Sequence, residues 1–289
     1  MISASISKIL NFSCVDGPGN RMVIFFQGCN YNCKNCHNPQ TIGVCNHCTA
    51  CVEHCPSQAL QTEYIDNKPK VIWNKAACTE CDKCIEVCPK QASPKTESIS
   101  VSQLIEKIQE NRLFINGITV SGGEASLHLP FIIALFRLVK TTASLKHLTC
   151  MIDSNGSLGT TGWKHLLPYL DGAMIDLKAW HDETHHWLTN RSNHRVFETM
   201  NFLHSHNKLH EIRLLHIPDK TDFIEHIEQV SRFLRPFSDS VTIKLNAFRH
   251  HGVTGEALNW DECSKEEIDH FHTELAQRGV QNIVLPAMY

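Results

Sequence analysis

Eleven of the fourteen cysteines fall between Cys29 and Cys88, in three short arrays of repeating spacing. Disulfide frameworks belong to small secreted chains, whereas 289 residues of 42% apolar composition can bury a core without them. The arrays therefore point to metal ligation, and metal sites fix the chain that surrounds them. Two arrays are copies of one pattern: Cys45, Cys48, Cys51 and Cys55 before Pro56, then Cys78, Cys81, Cys84 and Cys88 before Pro89. In runs of this spacing the fourth cysteine ligates the other run's cluster. That assigns Cys45, Cys48, Cys51 and Cys88 to one [4Fe-4S] centre and Cys78, Cys81, Cys84 and Cys55 to a second, both coordinatively complete.

The stretch from Thr41 to about Ser93 differs from the rest. It is cysteine-rich, and Gln61 to Trp73 reads as a hairpin turning at Asp66-Asn67-Lys68-Pro69. The expected organisation is a small ferredoxin-like domain at 41–95 inserted into a larger domain made of 1–40 and 96–289. A domain of that size has little core without its metals.

The remaining array, Cys29, Cys33 and Cys36, has the spacing Cys-x3-Cys-x2-Cys and follows the apolar run Arg21 to Gly28, a short strand buried on both faces. Three thiolates leave one iron of a [4Fe-4S] cluster without a protein ligand. An open coordination position separates a metal site that binds a substrate from one that only holds structure, as with zinc. The plain alternative for three such cysteines alone is a zinc knuckle.

Beyond the insert, helix-like and strand-like runs alternate. Helices are expected at Val101 to Glu110, Pro130 to Lys140, Gly162 to Tyr169, Val196 to His206, Asp222 to Leu234 and Lys265 to Arg278. Strands are expected at Gly117 to Val120, His147 to Ile152, Ala173 to Leu177, Glu211 to Ile217 and Val241 to Leu245. This rhythm means βαβ units and a parallel sheet. With the first strand there are six units, too few to close an eight-unit barrel, so the fold class is α/β with an open (βα)6 arc. In such folds chemistry gathers at the C-terminal ends of the strands.

A formal charge of −3 with interspersed signs gives no basic stripe for nucleic acid. No apolar run is long enough to span a bilayer, and the N-terminal residues lack the features of a secretory signal, so the expected location is the cytoplasm. The 19 histidines are scattered, and two or three functional ones at most are expected among solvated and core side chains.

The Cys29-Cys33-Cys36 loop resembles that of the radical S-adenosylmethionine (SAM) superfamily, and Gly122-Gly123-Glu124 resembles its Gly-Gly-Glu element. Three further stretches are similar to the glycyl radical enzyme activating enzymes, the family of pyruvate formate-lyase activase. These are Asp16-Gly17-Pro18-Gly19-Asn20-Arg21, Asp153-Ser154-Asn155-Gly156 in place of Asp-Thr-Asn-Gly, and Asp176-Leu177-Lys178. With the two-cluster insertion, the resemblance is to activases of the YjjW type and covers essentially the whole chain.

The resemblance implies a partial TIM-like barrel and three [4Fe-4S] clusters, with SAM chelating the open iron at Cys29, Cys33 and Cys36. It implies that Gly122 and Gly123 admit close approach of SAM, that Glu124 receives its amino group, and that Asn35 and His37, beside the cofactor-binding Cys36, line the adenine. Asp153, Ser154, Asp176 and the Met174 carbonyl would hold a monovalent cation, and Lys178 would face the SAM carboxylate. The sequence departs from the family late: Asn246-Ala247-Phe248-Arg249-His250-His251-Gly252 stands where Leu-Pro-Tyr-His-x2-Gly is usual. Aligning on Gly252 gives the SAM contact to Arg249, and a shift gives it to His250. Arg213 either faces the site or forms a structural salt bridge. The implied activity is reductive cleavage of SAM to a 5′-deoxyadenosyl radical that takes a Cα hydrogen from a glycine of a partner enzyme. A flavodoxin or ferredoxin would be the donor, and the activase a monomer. A radical SAM enzyme acting on a small molecule and an electron-transfer iron-sulfur protein are the other classes.

Overall fold

The computed structural model describes residues 2–286. Strands β1 (Ser3–Ser13) and β2 (Arg21–Phe26) form an antiparallel pair. The chain then leaves the main sheet for β3 (Gly43–Val44), the hairpin β4 (Leu60–Ile65) and β5 (Lys68–Trp73), the single turn α1 (Lys83–Glu86) and β6 (Ala92–Ser93). It returns as β7 (Glu97–Ser100), antiparallel to β1. From there strand and helix alternate: α2 (Val101–Asn111), β8 (Gly117–Gly122), α3 (Leu129–Thr141), β9 (Thr149–Ser154), α4 (Thr160–Leu166) and β10 (Gly172–Leu177). Then follow α5 (Asp182–Thr189), α6 (His194–Ser205), β11 (Leu209–His216), α7 (Ile227–Ser238), β12 (Thr242–Ala247), α8 (Lys265–Gln277) and β13 (Ile283–Val284).

The main sheet runs β13-β12-β11-β10-β9-β8-β2-β1-β7, parallel from β2 through β13. The arc of six strand–helix units is thus present. Its strands are apolar on both faces because one face meets the helices and the other the barrel interior; Met22, Ile24, Ile118, Val120, Ile152, Ile175, Ile212 and Ile243 are all buried. Serines cap two of the helices: Ser100 and Ser264 each form a capping box, with Gln103 and Glu267.

Elements that escape the sequence pattern include β1, β7, β13 and α5, and one expected helix starts late. β1 carries mixed side chains and is only half buried, so its pairing with β2 is not announced by alternation. α5 has few apolar positions; it is marked instead by Asp182 and Glu183 in its first turn and by Asn190, left-handed at φ 61°, after its last. The helix expected from Asp222 starts at Ile227, because Asp222 is drawn away to receive the backbone N–H groups of Trp180 and His181 at 2.7 and 2.9 Å.

Arg21 closes the N-terminal end of the barrel. Its guanidinium is fully buried and spends all five donors on neutral acceptors: Nε on Thr119 Oγ1, Nη1 on the Pro18 carbonyl and Thr149 Oγ1, and Nη2 on the carbonyls of Ile118 and Thr149. Burial pushes it down to about 10, still charged at neutral pH. Arg21→Met orphans these acceptors and is expected to cost about 3 kcal/mol, read as a fall of about 5 °C or more in the thermal midpoint of the reconstituted protein.

Residues 41–95 build two small sheets, β3 with β6 and β4 with β5, around a small cluster of Cys51, Leu60, Val71 and Cys84. The β4–β5 hairpin turns through Asp66 and Asn67, both at positive φ (51° and 58°), which matches a two-residue turn of the type that suits strand twist. This segment is stitched to the first cysteine loop. The Gly28 and Cys29 N–H groups donate to the Thr41 and Ile42 carbonyls at 2.8 and 3.0 Å, and the Gln27 carboxamide donates to the Gln40 and Gly43 carbonyls at 2.8 and 2.6 Å. Among the described residues no helix is long and apolar enough to cross a membrane.

Candidate active site

At the C-terminal ends of the parallel strands lies a cavity of about 410 Å³. Cys29, Cys33, Asn35, Cys36 and His37 line one side of it; Gly122, Gly123, Glu124, Asp153, Ser154, Asp176 and Lys178 line the other. The cysteine loop is held from outside by α5, whose last carbonyls have no partner within the helix. The Leu188 and Thr189 carbonyls accept the Lys34 and Asn32 N–H groups at 2.9 and 3.0 Å. A helix that the sequence pattern missed therefore positions the loop that the pattern made most conspicuous.

The glycines after β8 admit that loop. A Cβ on Gly123 would stand 2.2 Å from the Gly28 carbonyl oxygen, and one on Gly122, at φ 122°, would stand 2.3 Å from the Phe26 backbone. The close approach the structure shows is thus to the cysteine loop's own backbone. Glu124 is buried and commits its oxygens to three donors: Ser126 N–H and Ser154 Oγ at 3.0 and 2.8 Å on Oε1, and Asn155 N–H at 2.8 Å on Oε2. It ties the end of β8 to the end of β9.

The acidic wall is already paired with cations of the chain. Arg213 Nη1 meets Asp153 Oδ1 at 2.9 Å, its Nε meets Glu211 at 2.5 Å, and its Nη2 reaches the Met174 sulfur at 3.1 Å, while Ser121 Oγ donates to Asp153 Oδ2 at 3.0 Å. Arg213 both faces the cavity and forms a salt bridge. Lys178 Nζ meets Asp176 at 2.6 Å. Burial works against the charge on Asp176, yet Lys178 and Arg213 outweigh it and hold this carboxyl below its usual range. Burial likewise opposes the charge on Lys178, and Asp176 with the nearby thiols of Cys33 and Cys36 more than restores it.

The late segment corrects one expectation. Arg249 is absent from the cavity wall; its guanidinium meets Glu262 at 3.1 Å, in a loop where His250 N–H also donates to Glu262 at 2.7 Å and the His250 ring meets the Trp260 carbonyl at 2.8 Å. Arg249 and His250 both contact Glu262 in that loop. From this segment Asn246 and Ala247 line the cavity, and Gly252, at φ 77°, packs where a Cβ would lie 2.2 Å from the His37 carbonyl oxygen. Tyr31 and Asn155 also line the cavity with no role assigned to them from the sequence, although Tyr31 lies inside the Cys29-x3-Cys33 spacing and Asn155 inside Asp153-Ser154-Asn155-Gly156.

The residues present fit an iron-sulfur cluster and a polar ligand. Burial pushes the Cys29 and Cys33 thiols up to about 11 and about 12 and raises Cys36 as well, so only a strongly cationic guest would draw out three thiolates together. The Tyr31 hydroxyl and the Asn35 side-chain oxygen are buried without hydrogen-bond partners, as befits a wall whose polar guest completes it. In residues 41–95 a narrow cavity is lined by Cys55, Cys78, Cys81 and Cys84 together. The Cys45 thiol is raised first by burial and then by the thiols of Cys88 and Cys48, and burial with Cys45 and the Cys84 and Cys88 thiols raises Cys51.

Several known proteins resemble the chain along most of its length. The 4-hydroxyphenylacetate decarboxylase activating enzyme of Clostridioides difficile is 27% identical, over 96% of this chain and 92% of that one. The pyruvate formate-lyase 1-activating enzyme of Escherichia coli is 28% identical, over 86% and 82%. Among solved structures, QueE from Escherichia coli superposes with a TM-score of 0.50 at 13% identity, over 100% of this chain and 96% of that one. Streptococcus suis SuiB bound to its precursor peptide reaches 0.56 at 10%, over 92% and 48%; at such identities these two speak for the fold alone. The model of the radical SAM superfamily matches residues 23–234, from β2 into α7, and so spans the three-cysteine loop, the glycine turn and both aspartates. The chain belongs to the radical SAM superfamily.

Proposed function

We propose that the chain is an activase that installs a glycyl radical on a partner enzyme. The observation that carries this reading is the single cavity that gathers Cys29, Cys33 and Cys36 with the ends of β8, β9 and β10, in a chain whose relatives of similar length are activating enzymes. Cys29, Cys33 and Cys36 hold a [4Fe-4S] cluster with one open iron, and SAM lies against Gly122 and Gly123. With both bound, the reduced cluster would supply one electron to cleave SAM into methionine and a 5′-deoxyadenosyl radical, which would take the glycine Cα hydrogen to leave 5′-deoxyadenosine and the glycyl radical.

The chain's own side chains orient and shield. Lys178 presents its charge to the SAM carboxylate, and Asn35 and His37 face the adenine. Asp153, Ser154, Asp176 and the Met174 carbonyl offer hard oxygen donors to a monovalent cation, which shares Asp153 with Arg213. Glu124 keeps the β8 and β9 ends in register, and its Oε2, which accepts only the Asn155 N–H, keeps a lone pair for the SAM amino group. No side chain acts as acid or base. Residues 41–95 form the ferredoxin-like insert, with two complete clusters that relay electrons from a flavodoxin or ferredoxin to the open one, and the activase works as a monomer.

The test is electron paramagnetic resonance on the reconstituted protein, reduced and mixed anaerobically with SAM and an extract of anaerobically grown cells. A glycyl radical doublet on an extract protein, absent without SAM, is the expected result. SAM cleavage that is stimulated only by the small-molecule fraction of the extract, with no doublet, would move the reading to a small-molecule radical SAM enzyme.

A further inference from the structure

Outside the cavity, the loops that follow β10 and β11 bring together His181, Asp222 and His226. One ligand atom from each lies within 4.8 Å of the others. We propose that these three side chains bind a single divalent transition-metal ion, best matched by zinc.

Asp222 is buried, and its two oxygens receive the N–H groups of Trp180 and His181 at 2.7 and 2.9 Å. The carboxylate is therefore fixed in orientation, yet each oxygen keeps a lone pair for a metal. The His181 and His226 rings meet edge to face with centroids 4.0 Å apart. Among the described residues the ring nitrogens of both have no hydrogen-bond partner, and one ligand atom of each lies within 4.8 Å of the other and of an Asp222 oxygen. His185, one helical turn beyond His181, is by contrast buried, and its Nδ1 meets the Arg191 carbonyl at 2.7 Å. Two imidazoles and one carboxylate form a donor set that suits zinc, with a fourth position left for water. Ligand distances of about 2.0 to 2.2 Å are reached by closing the three side chains by less than about 1 Å.

The frame around them is firm. Trp180 donates its indole N–H to Gln229 at 3.0 Å and packs on Phe197 and Phe233. A metal here clamps the loop after β10 to the loop after β11. Lys178 stands at the base of the first and Arg213 lies within the strand that feeds the second, so the clamp fixes the relative positions of the two cations that face the acidic wall.

The test uses the protein with its cluster sites filled anaerobically, freed of loose metal by a chelator and titrated calorimetrically with zinc chloride. One tight event per chain is expected in the unchanged protein. Loss of an outer-shell partner lowers metal affinity by about 10- to 100-fold, so loss of a ligand should cost more than about tenfold in His226→Ala and in His181→Gln. His181 is exposed and His226 half-buried, so neither change opens the core. Zinc-edge absorption should show nitrogen and oxygen neighbours. No event in the unchanged protein, equal uptake by both variants, or sulfur neighbours from the cysteine arrays would each overturn the proposal.

Discussion

With the three clusters proposed above, changing Cys33 to serine is expected to take iron from about twelve to about eight per chain and deoxyadenosine formation to the limit of detection. Cys33 sits between Cys29 and Cys36 in the cavity wall, and its loop is pinned on both sides, by the Leu188 and Thr189 carbonyls and by the Gly28 and Cys29 N–H groups donating to the Thr41 and Ile42 carbonyls. The loop thus has little freedom to recruit a substitute, and a hydroxyl is a poor ligand for an iron that prefers thiolate. Iron and sulfide per chain, with deoxyadenosine measured chromatographically after SAM and dithionite, check this. A Cys33→Ser protein that keeps all its iron and still cleaves SAM would sink the assignment. The same substitution at Cys81, in the narrow cavity of residues 41–95, should also lose iron but keep dithionite-driven cleavage, because the reductant then reaches the open cluster directly.

Gly123→Ala should have an effect of similar size by another route, with iron retained. The added carbon would meet the Gly28 carbonyl oxygen at 2.2 Å, the Gly28 carbonyl carbon at 2.6 Å and the Thr41 carbonyl oxygen at 2.8 Å. All three are backbone atoms, so no side chain can swing aside. Either the cysteine loop or the glycine turn must shift, breaking the bonds from Gly123 N–H to the Phe26 carbonyl at 3.0 Å and from Glu124 N–H to the Gly28 carbonyl at 2.8 Å. A misplacement of about 1 Å between reacting groups costs about 100-fold in rate, and that loss is expected in deoxyadenosine formation. A rate within threefold of the unchanged protein would show that the turn yields without disturbing the site.

What was legible in the sequence was periodic or punctuated. Six strand–helix units follow from apolar runs, and twelve of the residues expected at the site line one cavity because their motifs sit at the C-terminal ends of β2, β8, β9 and β10. What was not legible depends on contacts between distant segments. The α5 carbonyls that hold the cysteine loop, the commitment of Glu124 to Ser154 and Asn155, and the pairing of Arg213 with Asp153 all join residues far apart in the chain. Arg249 shows the same limit from the other side. Gly252 packs against the His37 carbonyl, while the Arg249 guanidinium meets Glu262 and does not line the cavity, which only the folded loop reveals.

The stitching of residues 41–95 onto Gly28 and Cys29 has a mechanical meaning. Excising that segment and rejoining the ends would leave the Gly28 and Cys29 N–H groups without acceptors and the Gln27 carboxamide with the Gln40 carbonyl alone, each buried donor left without a partner costing about 1 to 3 kcal/mol. The segment is therefore a floor under the first cysteine as well as a carrier of cysteines. Any shorter protein of this architecture has to rebuild that floor from some other stretch of its chain.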